Sequence, residues 1–171
     1  MPLPRLPRHP EPSATGSVTV RATPEAAYGV IGDPPAMAGL AAEATGARWL
    51  DGATRAAVGV RFRGYNRSGA LRRWSTDCRI TDAEPGRRFA FEVTATPLRI
   101  PISRWQYDIE PAPEGCTVTE TSWLRAPAWF LPFAVLIPGI LDRPGANHEH
   151  IGQTLHRLKA HLETAPATGA R

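Results

Sequence analysis

Between Val58 and Trp123, large apolar side chains recur at every second position through five successive runs. Val58, Val60 and Phe62 share one parity, and Arg61 and Arg63 take the other. Trp74, Thr76, Cys78 and Ile80 oppose Ser75, Asp77 and Arg79. Phe89, Phe91 and Val93 oppose Arg88 and Glu92, and Trp105, Tyr107 and Ile109 oppose Gln106 and Asp108. The last run sets Cys116, Val118, Glu120 and Ser122 against Thr117, Thr119 and Thr121. Successive side chains of a strand point to opposite faces, so a period of two means one packed face and one wet face. Polar outer faces favour antiparallel pairing over a parallel sheet covered on both sides. Asn66-Arg67-Ser68-Gly69, Glu84-Pro85-Gly86 and Pro113-Glu114-Gly115 supply hairpin and loop chemistry between the runs. The pattern predicts a curved antiparallel sheet whose apolar face the other segments must cover.

Those segments can be read in order. Met1 to Gly16 holds five prolines and few large apolar residues, a composition that cannot offset its ordering entropy, and is expected to be disordered. Ser17 to Ala22 reads as a short strand. Thr23-Pro24-Glu25 is a helix start, with an N-cap, a proline at the first position and an acid in the first turn. That helix runs to about Ile31, Gly32-Asp33-Pro34-Pro35 breaks it, and a second short helix follows through about Leu40. Glu43 to Leu50 reads as an edge strand. Near the C-terminus, Asp142 caps a long helix with Pro144 in its first turn. Ile151, Leu155, Leu158 and Leu162 are spaced four, three and four apart and form one apolar stripe. The open sheet face is the partner available to that stripe. Residues 165–171 read as a disordered tail, leaving one domain over 17–164.

The stretch from Ala126 to Leu141 carries no charge and contains Trp129, Phe130, Phe133, Leu136 and Ile137. It is shorter than the roughly 18 to 20 residues of a membrane-spanning helix, and Pro127, Pro132 and Pro138 interrupt it. It reads as a buried connector closing one end of the core, able also to line a pocket. The alternative is an apolar lid or membrane-dipping patch.

A chain of 171 residues suits one domain with a substantial core. The net charge is +4, and of the 20 basic residues all but Lys159 are arginines. These arginines are spread over outward strand positions and interrupted by acids, which argues against a nucleic-acid surface. Cys78 and Cys116 would lie three strands apart, roughly 14 Å, beyond the reach of a disulfide. Two free buried thiols fit a reducing cytoplasm, and the Pro-rich N-terminus lacks the apolar core of a secretory signal. No metal-ligand motif, phosphate loop or nucleophile elbow appears, so no metal or cofactor is expected.

The order of strand, two short helices, six strands and a long helix resembles the START-like superfamily, also called SRPBCC or polyketide cyclase/dehydrase. The resemblance covers about Ser17 to Glu163. It is carried by Gly59-Val60-Arg61-Phe62-Arg63-Gly64, Asn66, Gly69, Arg73-Trp74 and Pro85-Gly86-Arg87-Arg88-Phe89-Ala90-Phe91. Asp142-Arg143-Pro144, Asn147 and Thr154-Leu155-His156-Arg157-Leu158-Lys159 complete it. The resemblance implies an α+β helix-grip fold of about seven strands wrapped around the C-terminal helix, with an elongated cavity. Members bind lipids, sterols, polyketides or other apolar molecules, and some catalyse cyclisation or dehydration. No catalytic motif is shared across the superfamily, so none transfers to this chain.

Glu120 is the sharpest candidate for chemistry. If Val118 faces inward, parity turns Glu120 inward too. A carboxyl in an apolar cavity has its pKa raised and can donate a hydrogen bond or act as a general acid. The alternatives are a bulge near the strand end or a pairing with an arginine at the rim. His148, three residues before Ile151, shares the helix stripe and is a second acid/base candidate; the alternative is a polar residue at the domain rim. Trp74, Trp105 and Tyr107 share the inward parity and suit a pocket that holds a ring and orients an oxygen. Phe62 and Phe91, with Trp129 and Phe133, complete the candidate ligand set, although core packing alone accounts for the phenylalanines of the sheet. The leading expectation is a monomer or homodimer that takes up a small hydrophobic or amphipathic molecule. Burying about 300 Å² of apolar ligand surface is worth roughly 7 kcal/mol before association costs. The rivals are a cyclase or dehydratase using Glu120 or His148, and a membrane-surface or partner-binding module using 126–141.

Overall fold

The computed structural model describes residues 11–68, 72–96, 99–127, 129 and 144–164. Seven strands are present: β1 (Ala14–Val20), β2 (Ala44–Trp49), β3 (Arg61–Ser68), β4 (Arg72–Glu84), β5 (Arg88–Ala95), β6 (Ile100–Ala112) and β7 (Gly115–Leu124). Helices α1 (Pro24–Ile31) and α2 (Pro34–Ala38) follow β1, and α3 (Pro144–Thr164) ends the described chain. All seven strands form one antiparallel sheet in the order β1-β7-β6-β5-β4-β3-β2. This is the α+β helix-grip architecture.

Alternation sets the two faces as expected. Cys78, Ile80, Phe89, Val93, Tyr107, Ile109, Cys116 and Val118 are buried on the inner side. The outer side is tied by charge. Arg63 grips Asp77 with Nε at 2.7 Å and Nη2 at 3.1 Å, and Arg88 Nε donates to Asp108 at 2.6 Å. Thr15–Thr121, Ser17–Thr119 and Thr19–Thr117 form a hydroxyl ladder between β1 and β7. A bulge between Ile80 and Asp82 shifts the register of β4. It resets the parity, so Asp82 lies opposite Ala90 while Ala83 lies opposite Phe89. Arg104 then reaches both Thr81 Oγ1 (2.7 Å) and Asp82 Oδ2 (2.9 Å). Without the extra residue Asp82 would be turned toward the core.

Three local expectations change. Strand β1 begins at Ala14, so Ala14–Gly16 are not a disordered tail; the edge of β7 offers them hydrogen-bonding partners, and they pair with Ser122–Glu120. Strand β3 begins at Arg61 because Gly59 sits at φ +89°, which leaves Val58 68% exposed. The same strand runs through Asn66 and Arg67 to Ser68 instead of turning there. The expectations for residues 1–10 and 165–171, for most of 126–141 and for the Asp142 cap lie outside the described residues.

Helix α1 starts as its sequence dictates: Thr23 Oγ1 accepts from the Ala26 N–H at 3.2 Å, with Pro24 in the first turn. Helix α3 lies over β1 and the neighbouring β7. Its contacts fix its direction. Ile151 and Leu155 come down on Gly16, Lys159 Nζ donates to the Thr19 carbonyl at 2.7 Å, and Glu163 Oε1 accepts from the Arg21 N–H at 3.0 Å. The helix therefore runs alongside β1 in the same sense. Gly16 permits this approach, since a Cβ there would stand 2.8 Å from Ile151 Cγ2. Gly16→Ala should cost about 1–3 kcal/mol by overpacking. Ile151→Ala should then cost less in the Gly16→Ala background than in the wild type, because it removes the clashing methyl. Urea denaturation of the four proteins measures this coupling, and strictly additive energies would show that the helix is not seated on Gly16.

Candidate functional site

Register places the candidate acid. Across β5, β6, β7 and β1 one inner row reads Phe89, Tyr107, Glu120, Gly16, and the next reads Phe91, Trp105, Ser122, Ala14. Glu120 is 3% exposed. Tyr107 Oη donates to Glu120 Oε1 at 2.7 Å. Burial pushes the Glu120 carboxyl up to about 8, with the Tyr107 hydrogen bond pulling the other way. The Tyr107 phenol is itself held well above its ordinary value by burial and then by Glu120. Both groups are therefore neutral at pH 7. Because Oε1 accepts from tyrosine, the carboxyl proton belongs on Oε2, and that atom has no partner among the described residues.

Two further polar atoms share this condition. Ser122 Oγ and Asn147 Oδ1 are buried without a hydrogen-bond partner among the described residues. Ser122 lies two residues beyond Glu120 on the same face of β7. Asn147 lies one turn before Ile151, and the direction of α3 carries it toward the Ala14–Ser122 row. Each unsatisfied buried group costs roughly 1–3 kcal/mol, and each calls for a reason such as a catalytic role, strain or a bound water or ion.

The other candidates fall in different places. Phe62 and Phe91 join an aromatic chain, with Trp49–Phe62 centroids at 6.3 Å, Phe62–Phe91 at 5.2 Å and Phe89–Phe91 at 5.7 Å. Trp105 is half-buried, and its Nε1 donates to Ser103 Oγ at 3.1 Å. Trp74 is half-buried opposite Asn66 at the far side of the sheet. Tyr107 and Trp105 thus flank Glu120 and Ser122, while Trp74 and Phe62 do not. Trp129 is 66% exposed. Phe133 lies outside the described residues.

His148 is exposed, contrary to the expectation that it faces the sheet. The buried face of α3 is Asn147, Ile151, Thr154, Leu155 and Leu158. Thr154 and Asn147 pull the centre of that face away from His148, which a stripe drawn through leucine and isoleucine alone does not show. Thr154 Oγ1 in turn accepts from the Ala42 N–H at 3.3 Å. The thiols offer no nucleophile: Cys78 and Cys116 are free and buried, and burial pushes Cys78 up to about 12. Among the described residues, no three acids, histidines or cysteines gather into a metal site. No described helix is long and apolar enough to cross a membrane.

An open cleft of about 550 Å³ lies elsewhere, between α1, the loop after β2 and the β4–β5 hairpin. Its walls include Tyr28, Trp49 and Ala83. None of the ligand residues proposed from sequence lines it. Trp49 escaped notice because its strand reads as a weak edge, and the loop residues carry no periodic signal.

The buried acid makes a pH signature. The unfolded carboxyl titrates near 4.5, and the folded one near 8. Between these values the folded protein holds a proton that the unfolded chain has released. Stability therefore falls as pH rises through this window and levels off above it. At pH 7 the loss is about 3 kcal/mol, at roughly 1.4 kcal/mol per unit. Glu120→Gln should remove that slope, so its Tm should fall less than the wild type's between pH 5 and 8. Equal slopes in the two proteins would mean that the carboxyl is not held neutral.

Solved structures share the fold. A protein from Chromobacterium violaceum superposes with a TM-score of 0.67 at 19% identity, over 88% of this chain and 96% of that one. A Polyketide_cyc-like protein from Corynebacterium glutamicum gives 0.58 at 23% identity, over 95% of this chain and all of that one. The di-domain ARO/CYC StfQ from the steffimycin biosynthetic pathway gives 0.63 at 12% identity, over 88% of this chain and 50% of that one. At such identities the likeness is one of fold. Comparison with curated protein sequences finds no match. The family model described as polyketide cyclase/dehydrase and lipid transport matches residues 11–163, so the chain belongs to that family.

Proposed function

We propose that the protein binds a small hydrophobic or amphipathic molecule, lipid- or polyketide-like, between the sheet and helix α3. The observation that carries this reading is the buried, protonated Glu120, whose Oε2 has no hydrogen-bond partner among the described residues. A neutral carboxylic acid held in an apolar interior is a hydrogen-bond donor without a hydration shell. It suits a ligand carbonyl or hydroxyl oxygen. Ser122 and Asn147 add a hydroxyl and an amide nearby, and Trp105 and Tyr107 supply flat apolar surface. Such a site orients a ligand by a few polar contacts and holds it by burial.

A second reading rests on the same proton. A carboxyl with its pKa near 8 is poised to give a proton to a substrate oxygen at neutral pH, as a cyclase or dehydratase step requires. The family's description and the aromatase/cyclase-type neighbour support this direction. His148 has no part in it, because it is exposed.

One experiment separates the readings. Native mass spectrometry of freshly purified protein should show a bound small molecule, which extraction then supplies as a probe. Glu120→Gln keeps a donor and should hold affinity within a few fold, whereas Glu120→Leu should lose about tenfold or more. If the site is catalytic, Glu120→Gln should abolish turnover while leaving affinity nearly intact. Unchanged affinity in Glu120→Leu would remove Glu120 from the site.

A further inference from the structure

The cleft beside the β4–β5 hairpin has the ingredients of a ligand site of its own. It is walled by the half-buried rings of Trp49 and Tyr28 and by Ala83, and it is open to solvent. Its charged wall residues are Arg55 and Asp33. Elsewhere on the sheet, arginines that meet a carboxylate take it: Arg61 on Asp51, Arg63 on Asp77, Arg88 on Asp108 and Arg104 on Asp82. Arg55 and Asp33 line the same cleft, yet neither forms an ion pair or side-chain hydrogen bond with a described residue. Asp33 stands at the N-cap of α2 and does not use its side chain there. One guanidinium and one carboxylate are therefore both available to a guest in a cleft with aromatic walls.

One stretch of the lining carries no side chain. Gly29, in the middle of α1, lines the cleft, and a Cβ added there would meet nothing within 4 Å. A glycine inside a helix costs stability of roughly 1 kcal/mol relative to alanine. Here it leaves an exposed part of the cleft's lining open, where a larger side chain would intrude. Tyr28 keeps its phenolic proton: burial, and then the charge of Glu84, push its pKa up. It presents a ring and a neutral hydroxyl.

We propose that this cleft is a second ligand site, for a flat aromatic molecule carrying a carboxylate for Arg55 and a hydroxyl or amine for Asp33. The ring stacks on or against Trp49 and Tyr28, whose faces accept aromatic surface with favourable geometry. The guanidinium pairs with the carboxylate in two parallel hydrogen bonds. Asp33 accepts from the polar group on the ring and disfavours a ligand with a second negative charge. The site is separate from the Glu120 cluster. Ala83 of the cleft and Glu120 sit in one cross-strand row, with the buried Phe89 and Tyr107 between them.

The probe is 6-hydroxy-2-naphthoate, with 2-naphthol as its counterpart without the carboxylate, titrated into the full chain by calorimetry at low salt. Wild type should bind the naphthoate more tightly than the naphthol. Arg55→Gln should weaken the naphthoate about five- to tenfold and leave the naphthol unchanged. Gly29→Leu intrudes on the cleft, raises helix propensity and should abolish binding of both, with circular dichroism confirming the fold. Glu120→Leu, which should weaken an interior ligand, should leave both affinities as they are. Absence of binding at millimolar naphthoate overturns the proposal. So does binding that survives both Arg55→Gln and Gly29→Leu. Binding lost in Glu120→Leu but kept in Gly29→Leu would assign the probe to the interior, overturning the cleft proposal while supporting the interior one.

Discussion

The close seating of α3 on Gly16 is the contact on which the interior depends. A helix and a sheet normally keep a side chain's thickness between their backbones. Removing the Cβ at one position of β1 lets Ile151 and Leu155 descend there. The helix is thereby pinned to β1 and its neighbour β7, at one edge of a seven-stranded sheet. Helices α1 and α2 contribute Ala27, Ile31 and Met37 to the same core, α1 against β5, β6 and β7 and α2 against β2 and β3. The segment after α2 is tied to α3, the Ala42 N–H donating to Thr154 Oγ1 and Arg157 Nη1 to the Ala41 carbonyl. The aromatic chain from Trp49 through Phe62 to Phe91 occupies the sheet's side nearer β2.

Glu120 is the direct cross-strand neighbour of Gly16, so it lies where the helix comes nearest. No water layer can be expected around a residue 3% exposed, and an ionised carboxylate there would need a cation. Arg63, Arg88 and Arg104 are held on the outer face by Asp77, Asp108 and Asp82. The remaining solution is a proton, and the Tyr107 hydroxyl secures one oxygen. A hydrophobic residue at 120 would pack at lower cost. An acid whose stabilisation requires a proton is therefore a feature that stability alone does not explain.

Much of this was legible in the sequence, for a simple reason. Strand parity is a strict two-valued property, so an inward Val118 carries Glu120 and Ser122 inward with it unless a bulge intervenes, and an inward Ile109 does the same for Tyr107 and Trp105. Pro24 after Thr23 is equally local, and α1 begins there. The failures share a cause as well. Where a register breaks, parity no longer propagates. The bulge after Ile80 turns Asp82 outward and Ala83 inward, and no residue type in that segment announces it. Gly59 cuts Val58 off from β3. His148 was misplaced because a helix stripe was drawn from its apolar members, while Asn147 and Thr154 also face the core. Polar residues buried for a purpose are invisible to a hydrophobic periodicity.

The same logic bears on the cleft. Its walls come from α1, the loop after β2 and the hairpin between β4 and β5, segments far apart in sequence. Only the last two residues of that wall, Ala83 and Pro85, belong to the alternating block, and Ala83 reaches it through the bulge that resets β4. Gly86 at φ +70° then closes the hairpin, with Glu25 of α1 packed against it. A left-handed glycine and one extra strand residue thus bring the hairpin up to α1. The concavity between them follows from these two backbone irregularities. A strictly regular sheet would carry Asp82 into that position and set a carboxylate where the structure has a methyl group.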